Sequence, residues 1–183
     1  MPHANWQLDT THSSIAFTVR HLMLAKVRGE FTAWSGTLDF DPDHPERASV
    51  AVDIDAASIE TRVPDRDAHL RSADFLDAAN FPRLTFRSTR VERTAPGALA
   101  IHGDLTIRGV TRPVVLKAEV TGPVKDAWGG VRAGFSASTA IERKDFGLVW
   151  NMALEAGGFA VGDRVDIHLE VEAVQPATTA AAA

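Results

Sequence analysis

A chain of 183 residues, 45% of them apolar and 23% charged, has the length and composition of one folded domain. It contains no cysteine, which excludes disulfides, thiolate metal sites and a cysteine nucleophile. The net charge of -5 comes from acids and bases mixed along the chain, without a basic stripe. That argues against nucleic acid as a partner, and an anionic membrane surface would repel the bulk of the chain.

The amino terminus runs from Met1-Pro2-His3 into Trp6 without a basic start, an apolar run or a small-residue cleavage site. No later stretch approaches the roughly 18 uncharged apolar residues of a membrane span. The expectation is a cytoplasmic protein, or a periplasmic one if a precursor has been trimmed. Strand patterning then dominates. Ile15, Phe17 and Val19 alternate with polar or small residues, the mark of a half-buried strand. From Val27 to Phe40 the phase changes: Val27, Gly29 and Phe31 share one parity, Trp34, Leu38 and Phe40 the other. A bulge or break near Thr32-Ala33 is predicted.

After a turn at Asp41 to Pro45, Val50, Val52 and Ile54 alternate with Ala51, Asp53 and Asp55. Pro64 and Asp65 open the one helical segment, and Asp74 with Asp77 suits a second short turn before Asn80-Phe81-Pro82. Leu70, Phe75 and Leu76 fit a helix laid across one end of a barrel. Leu99, Ile101, Gly103, Leu105 and Ile107 give the clearest alternation, followed by a turn over Gly109 to Pro113. Val114 to Val120, Val131 to Ile141 and Val165 to Val171 repeat the pattern, with a turn at Asp126 to Gly130. Residues 1–175 read as one domain and 176–183 as a low-complexity, disordered tail.

About eight strands with one apolar face predict a mainly β, antiparallel, lipocalin-like barrel with a short helical segment capping one end. A barrel of that size is either filled by side chains or holds one small ligand. Small residues at the apolar parity (Gly29, Gly103, Ala118, Ala133 and Ala137) favour a cavity, although small residues opposite large ones also suit tight packing. Each five-carbon unit of an elongated apolar ligand would contribute on the order of 3–4 kcal/mol gross, at about 0.8 per methylene.

The parity assigns Phe17, Val19 and Phe31 to the lumen, with Val52 and Ile54 beside them. Leu105, Ile107 and Leu116 follow, then Phe135 and Ile141, and Phe86 and Trp150 join them as aromatic candidates for the lining. His21, His69 and Arg143 are expected nearest the mouth, where they would meet a polar head group. Their bland alternative is ordinary hydrogen bonding between strand ends and helix. A buried charge needs a partner, so Arg143 is expected to pair with Asp74 or Asp145 and pin the helix over the mouth. No metal is expected, because the histidines lack a His-x-x-x-His spacing and Asp39-x-Asp41-x-Asp43 lacks the glycine of a calcium loop. Gly134-Phe135-Ser136-Ala137-Ser138 misses the nucleophile-elbow pattern at its last residue.

One ordered set of motifs spans Trp6 to about Val174. It begins with Trp6-x-Leu8-Asp9, His12-Ser13-x-Ile15-x-Phe17-x-Val19-x-His21 and Gly36-x-Leu38-x-Phe40-Asp41. The central stretch is Arg66-Asp67-x-His69-Leu70-x-Ser72-x-Asp74-Phe75-Leu76-Asp77, running into Phe81-Pro82-x-Leu84-Thr85-Phe86. Gly103-x-Leu105-Thr106-Ile107-x-Gly109, Arg143-x-Asp145-Phe146-Gly147 and Val161-Gly162-Asp163 complete it. In this order the set resembles the YceI-like family of lipid-binding barrels. The resemblance implies an extended barrel enclosing a polyisoprenoid, quinone-like or other amphiphilic chain, often as a homodimer. Many members carry a signal peptide, from which this start departs.

The function expected is non-catalytic carriage, storage or sequestration of such a lipid, with no catalytic cofactor. Two alternatives stand beside it. One is an enzyme using His21 or His69 as general base on an apolar substrate; the other is a filled barrel serving as a dimeric interaction module.

Overall fold

A computed structural model describes residues 5–175, so the predicted tail from Pro176 lies outside the described residues. The alternating segments form β1 (Asn5–His21), β2 (Ala25–Phe31), β3 (Trp34–Asp39), β4 (Ser49–Asp55) and the short β5 (Ile59–Glu60). The helix α1 (Pro64–Arg71), the one α-helix among the described residues, follows. Then come β6 (Arg83–Ala95), β7 (Ala98–Ile107), β8 (Val110–Lys125), β9 (Val131–Glu142) and β10 (Val161–Gln175).

All pairings are antiparallel, in the order β10-β9-β8-β7-β6-β4-β3-β1, and β1 returns to β10. Eight strands therefore close into a barrel, while β2 and β5 prolong β3 and β4 beyond a break at one end. The interruption between Phe31 and Trp34 falls where the change of phase predicted it. Closure leaves few unpaired strand edges, the condition a long antiparallel sheet needs to stay monodisperse.

Two irregularities escape the alternation test. β1 shifts register between Asp9 and Ser14, and β6 shifts between Ser88 and Arg90. In β6 the inward residues change from Leu84 and Phe86 to Val91, so no single parity runs through it. The turn predicted over Gly109 to Pro113 ends at Gly109, and Pro113 lies inside β8. Proline is tolerated there because β9 first pairs with β8 at Lys117, leaving Pro113 bonded on the β7 side only.

The two ends of the barrel differ. At the far end Trp6, Phe40, Ala133 and Ala173 form a buried floor. Trp6 Nε1 donates to the Phe40 carbonyl at 2.8 Å, and the Phe40 ring meets Phe135 edge-on at 5.0 Å. At the near end α1 and the turns after it lie across the opening. Pro64 at the first helical turn, Asp65 and Asp67 after it and Arg71 in the last turn all agree with the helix dipole. Buried Asp67 accepts from the Thr61 backbone N–H at 2.8 Å and tethers α1 to the residue after β5. Arg108 Nη1 donates to the Phe75 carbonyl at 3.0 Å, which ties the following turn to the β7–β8 connection.

Candidate functional site: an apolar lumen with a polar mouth

Closing eight alternating strands turns all their apolar faces inward, and here they do not meet. A cavity of about 480 Å³ runs inside the barrel, from Trp150 and Met152 at the near end to Leu8, Phe40 and Val171 above the floor. Along β10 the lining extends from Val161 to Val171. At roughly 3.3 Å per residue and a strand tilt of roughly 40°, that is a depth of roughly 25 Å. The volume lies inside the 300–1,000 Å³ range of small-molecule sites.

Phe17, Val19, Phe31, Val52, Ile54 and Phe86 all line this cavity, as do Leu105, Ile107, Leu116, Phe135, Ile141 and Trp150. Leu84 and Leu148 line it as well. Leu84 shares the parity of Phe86 before the β6 shift and was legible from it, whereas Leu148 lies in irregular chain after β9 where no periodicity exists. Leu8, before the β1 bulge, is on the lumen for the same reason that it is out of phase with Ile15.

The small inward residues divide into two groups. A side chain on Gly29 would overlap the Phe17 ring, 2.3 Å from its nearest atom, and one on Gly103 would overlap Phe86 at 2.4 Å. Those glycines accommodate aromatic rings and do not widen the lumen, a correction to the cavity argument as read from the sequence. Ala118 and Ala137 do widen it. They face each other directly across β8 and β9, and both line the cavity.

Polarity is confined. Among the described residues no aspartate or glutamate lines the cavity, and the basic lining residues Arg20, His21, Arg66, His69 and Arg143 gather at the near end. His69 sits on α1 with its ring 4.7 Å from Trp150 and 5.0 Å from Phe75, edge-on to both. Its Nε2 is 2.8 Å from the Asp74 carboxylate, which fixes the ring's orientation. His21 lies at the exposed end of β1.

Arg143 has a different role from the one its position suggested. It is buried and its five N–H groups are all engaged. Nε donates to Gly162 O at 2.9 Å, Nη1 to Leu148 O at 2.6 Å and Trp150 O at 2.9 Å. Nη2 donates to Val161 O and to the Asp163 carboxylate, each at 3.3 Å. Burial pulls its pKa down and Asp163 acts in the opposite direction. The predicted pairing with Asp74 or Asp145 is therefore replaced. Asp163 is the partner, Asp74 belongs to His69, and only the Asp145 backbone carbonyl is engaged, by Arg112 at 3.2 Å. Arg143 fastens the loop of residues 148–161 to the barrel rim, leaving no donor for a ligand. Carbonyl oxygens 5 to 19 residues away in sequence satisfy most of it, and no charge-pair pattern could have shown that.

A second polar cluster lies on the outer wall at the far end. Asp9, His12 and Glu172 place ligand atoms within 4.8 Å of one another, but Arg132 already bonds Asp9 and Glu172. The His12 ring, with Arg132, holds the Asp9 carboxyl down at about 2, against 3.8 ordinarily. Asp9 in turn raises His12 above 6.5. This is an ion-pair network across the β1 bulge.

The geometry, an eight-stranded barrel with an apolar lumen and a helix-capped mouth, agrees with a family model. Residues 6–173 match the YceI-like domain. The chain belongs to the YceI-like family. Among its relatives, a UPF0312 protein of Vibrio cholerae is 40% identical over 174 residues, covering 94% of this chain and 88% of the relative. One from Shewanella baltica is 39% identical over 167 residues, covering 91% and 84%. This YceI-like chain also superposes on the Campylobacter jejuni YceI crystal structure with a TM-score of 0.74 at 33% identity, over 86% of this chain and 90% of that one. A polyisoprenoid-binding domain from Saccharophagus degradans shares the fold, with a TM-score of 0.71 at 17% identity over 94% and 99%.

Proposed function

We propose that this YceI-like protein holds the tail of one long apolar lipid, of polyisoprenoid or similar kind, in its lumen without chemically altering it. The observation that carries the reading is the cavity: deep, closed at one end by the Trp6–Phe40 floor, and apolar except at its mouth. The membership of the family and the polyisoprenoid-binding name of a structural neighbour support the same ligand class. An amphiphile would enter tail first, its head group remaining near His21 and the His69–Trp150 pair.

A catalytic reading finds less support in the lining. Among the described residues its hydroxyl side chains are Ser49, Thr61 and Thr139. Ser49 lies at the far end of β4, Thr61 is tied to Asp67, and Thr139 sits within β9 opposite Ile167. His69 and Asp74 form an oriented base, but the Ser72 hydroxyl in the same turn donates to the His69 carbonyl at 2.7 Å. A filled barrel is disfavoured by the cavity itself.

The test is native mass spectrometry of freshly purified protein, followed by organic extraction of what it carries. The expected result is one apolar molecule per chain, lost in a folded Leu105→Glu variant that places a charge mid-lumen. A protein that stays empty after incubation with quinones and polyprenyl lipids would overturn the proposal.

A further inference from the structure

The rim of the mouth carries an apolar surface that lipid holding alone does not require. The β1–β2 hairpin turns through Leu22, Met23 and Leu24, and Leu24 is 84% exposed and Met23 61%. A tight hairpin turn ordinarily takes asparagine or glycine, because its residues need positive φ. Here Leu22 and Met23 adopt φ of 52° and 60°. Two bulky apolar side chains thus occupy a backbone region costly for them, on the outside of the molecule. The neighbouring loop joins the hairpin through Leu22 N–H to Ala160 O at 2.8 Å. It exposes Val149, Met152 and Phe159 beside it. Met152 and Ala160 also line the cavity, so the apolar rim is continuous with the lumen.

Charge around the hairpin runs against the rest of the chain. Between Asp9 and Glu30 there is no acid, while Arg20, Lys26 and Arg28 are all present, in a protein of net charge -5. All three are exposed, and none makes an ion pair among the described residues. The adjoining loop contributes Glu155 as its one acid between Leu148 and Val161, and Lys144, ion-paired with Asp163, lies 5.8 Å from the Phe159 ring. Apolar side chains flanked by the unpaired Arg20, Lys26 and Arg28 complement an anionic bilayer, where the apolar tip enters the interface and the cations meet lipid phosphates.

We propose that the β1–β2 hairpin tip and the loop of residues 148–160 dock the barrel, mouth first, onto an anionic phospholipid bilayer. The orientation directs the mouth at the membrane, so that a lipid passes between bilayer and lumen without crossing water. The overall negative charge is then no obstacle, because it repels the membrane from the remainder of the barrel and favours this one orientation. Its purpose rests on the lipid-holding reading, whereas the docking itself is measured independently of it.

The experiment is flotation of the full-length protein with vesicles of phosphatidylglycerol and phosphatidylethanolamine, and with vesicles of phosphatidylcholine alone. The wild type is expected to float with the anionic vesicles and to be released by salt. Leu24→Glu should lower binding at least tenfold, and Lys26→Gln and Arg28→Gln about fivefold each. Trp128→Glu, an 81% exposed apolar residue at the opposite end of the barrel, should leave it unchanged. Loading with a polyprenol from detergent micelles, read by native mass spectrometry without vesicles, separates the two proposals. Wild type that loads from micelles but fails to float overturns docking while leaving the lumen's function intact. Wild type that floats but never loads supports docking and overturns lipid holding. Equal loss in Trp128→Glu and Leu24→Glu overturns the assignment of this rim, as does a Leu24→Glu variant that only dissociates a dimer in sedimentation and binds vesicles unchanged.

Discussion

Ala137→Phe separates an open lumen from a packed core by the sign of its effect on stability. Ala137 faces Ala118 across β8 and β9, and both line the cavity with no side chain beyond a methyl group. A phenyl ring placed there would fill existing space, and burying it should stabilise the empty protein by about 1–2 kcal/mol beyond the alanine methyl. For a domain of this size that corresponds to a rise in Tm of about 4 °C. The same ring excludes about six carbons of any lipid tail, about 5 kcal/mol gross at 0.8 per methylene. Allowing half of that for ligand ordering, affinity should fall on the order of 50–100-fold. Thermal unfolding of delipidated protein gives the first quantity and a polyprenol titration the second. A Tm lowered by the 1–3 kcal/mol typical of overpacking, with lipid affinity unchanged, would refute the argument.

Other expectations are shorter to state. Arg143→Gln strands several buried carbonyl groups at once and should cost about 3–5 kcal/mol, seen as a Tm lower by about 10 °C, whereas Asp163→Asn, at a half-exposed partner, should cost under about 1 kcal/mol. Gly103→Ala should destabilise by about 1–3 kcal/mol through collision with Phe86, and adding Phe86→Leu should recover most of it in a double-mutant cycle. The Asp9–His12 pair should shape the pH profile of Tm on two limbs. The depressed Asp9 stabilises fully above 3.8 and loses that contribution as pH falls towards about 2. The raised His12 stabilises fully below 6.5 and loses its contribution as pH rises through its elevated value. Asp9→Asn should flatten both limbs; a profile identical to wild type would remove the pair from the account.

Strand identity, the break near Thr32-Ala33 and the inward direction of Phe17, Leu105, Phe135 and their neighbours were decided by period-two alternation. A side chain's face in a strand depends only on its parity, so the local sequence is sufficient. The helix start at Pro64 is equally local, because a proline in the first turn and acids behind it suit a helix N-terminus wherever the chain then goes. The family resemblance rested on motif order, which is also a property of the linear chain.

What lay beyond it depends on residues brought together from a distance. Parity cannot show a β-bulge that adds a residue silently, so Leu8 and Val91 became lumen residues only once β1 and β6 were paired with their neighbours. It cannot show whether a glycine makes room for a ligand or for a ring, a question settled at Gly29 and Gly103 by the positions of Phe17 and Phe86. Nor can it show that Arg143 answers to Asp163 and four backbone carbonyls, since carbonyl groups are common to every residue and only folding selects which ones converge. The sequence by itself determined which faces would be apolar. The tertiary structure decided that these faces close around a space without meeting, because strand number and tilt set a barrel's width independently of the side chains that point into it.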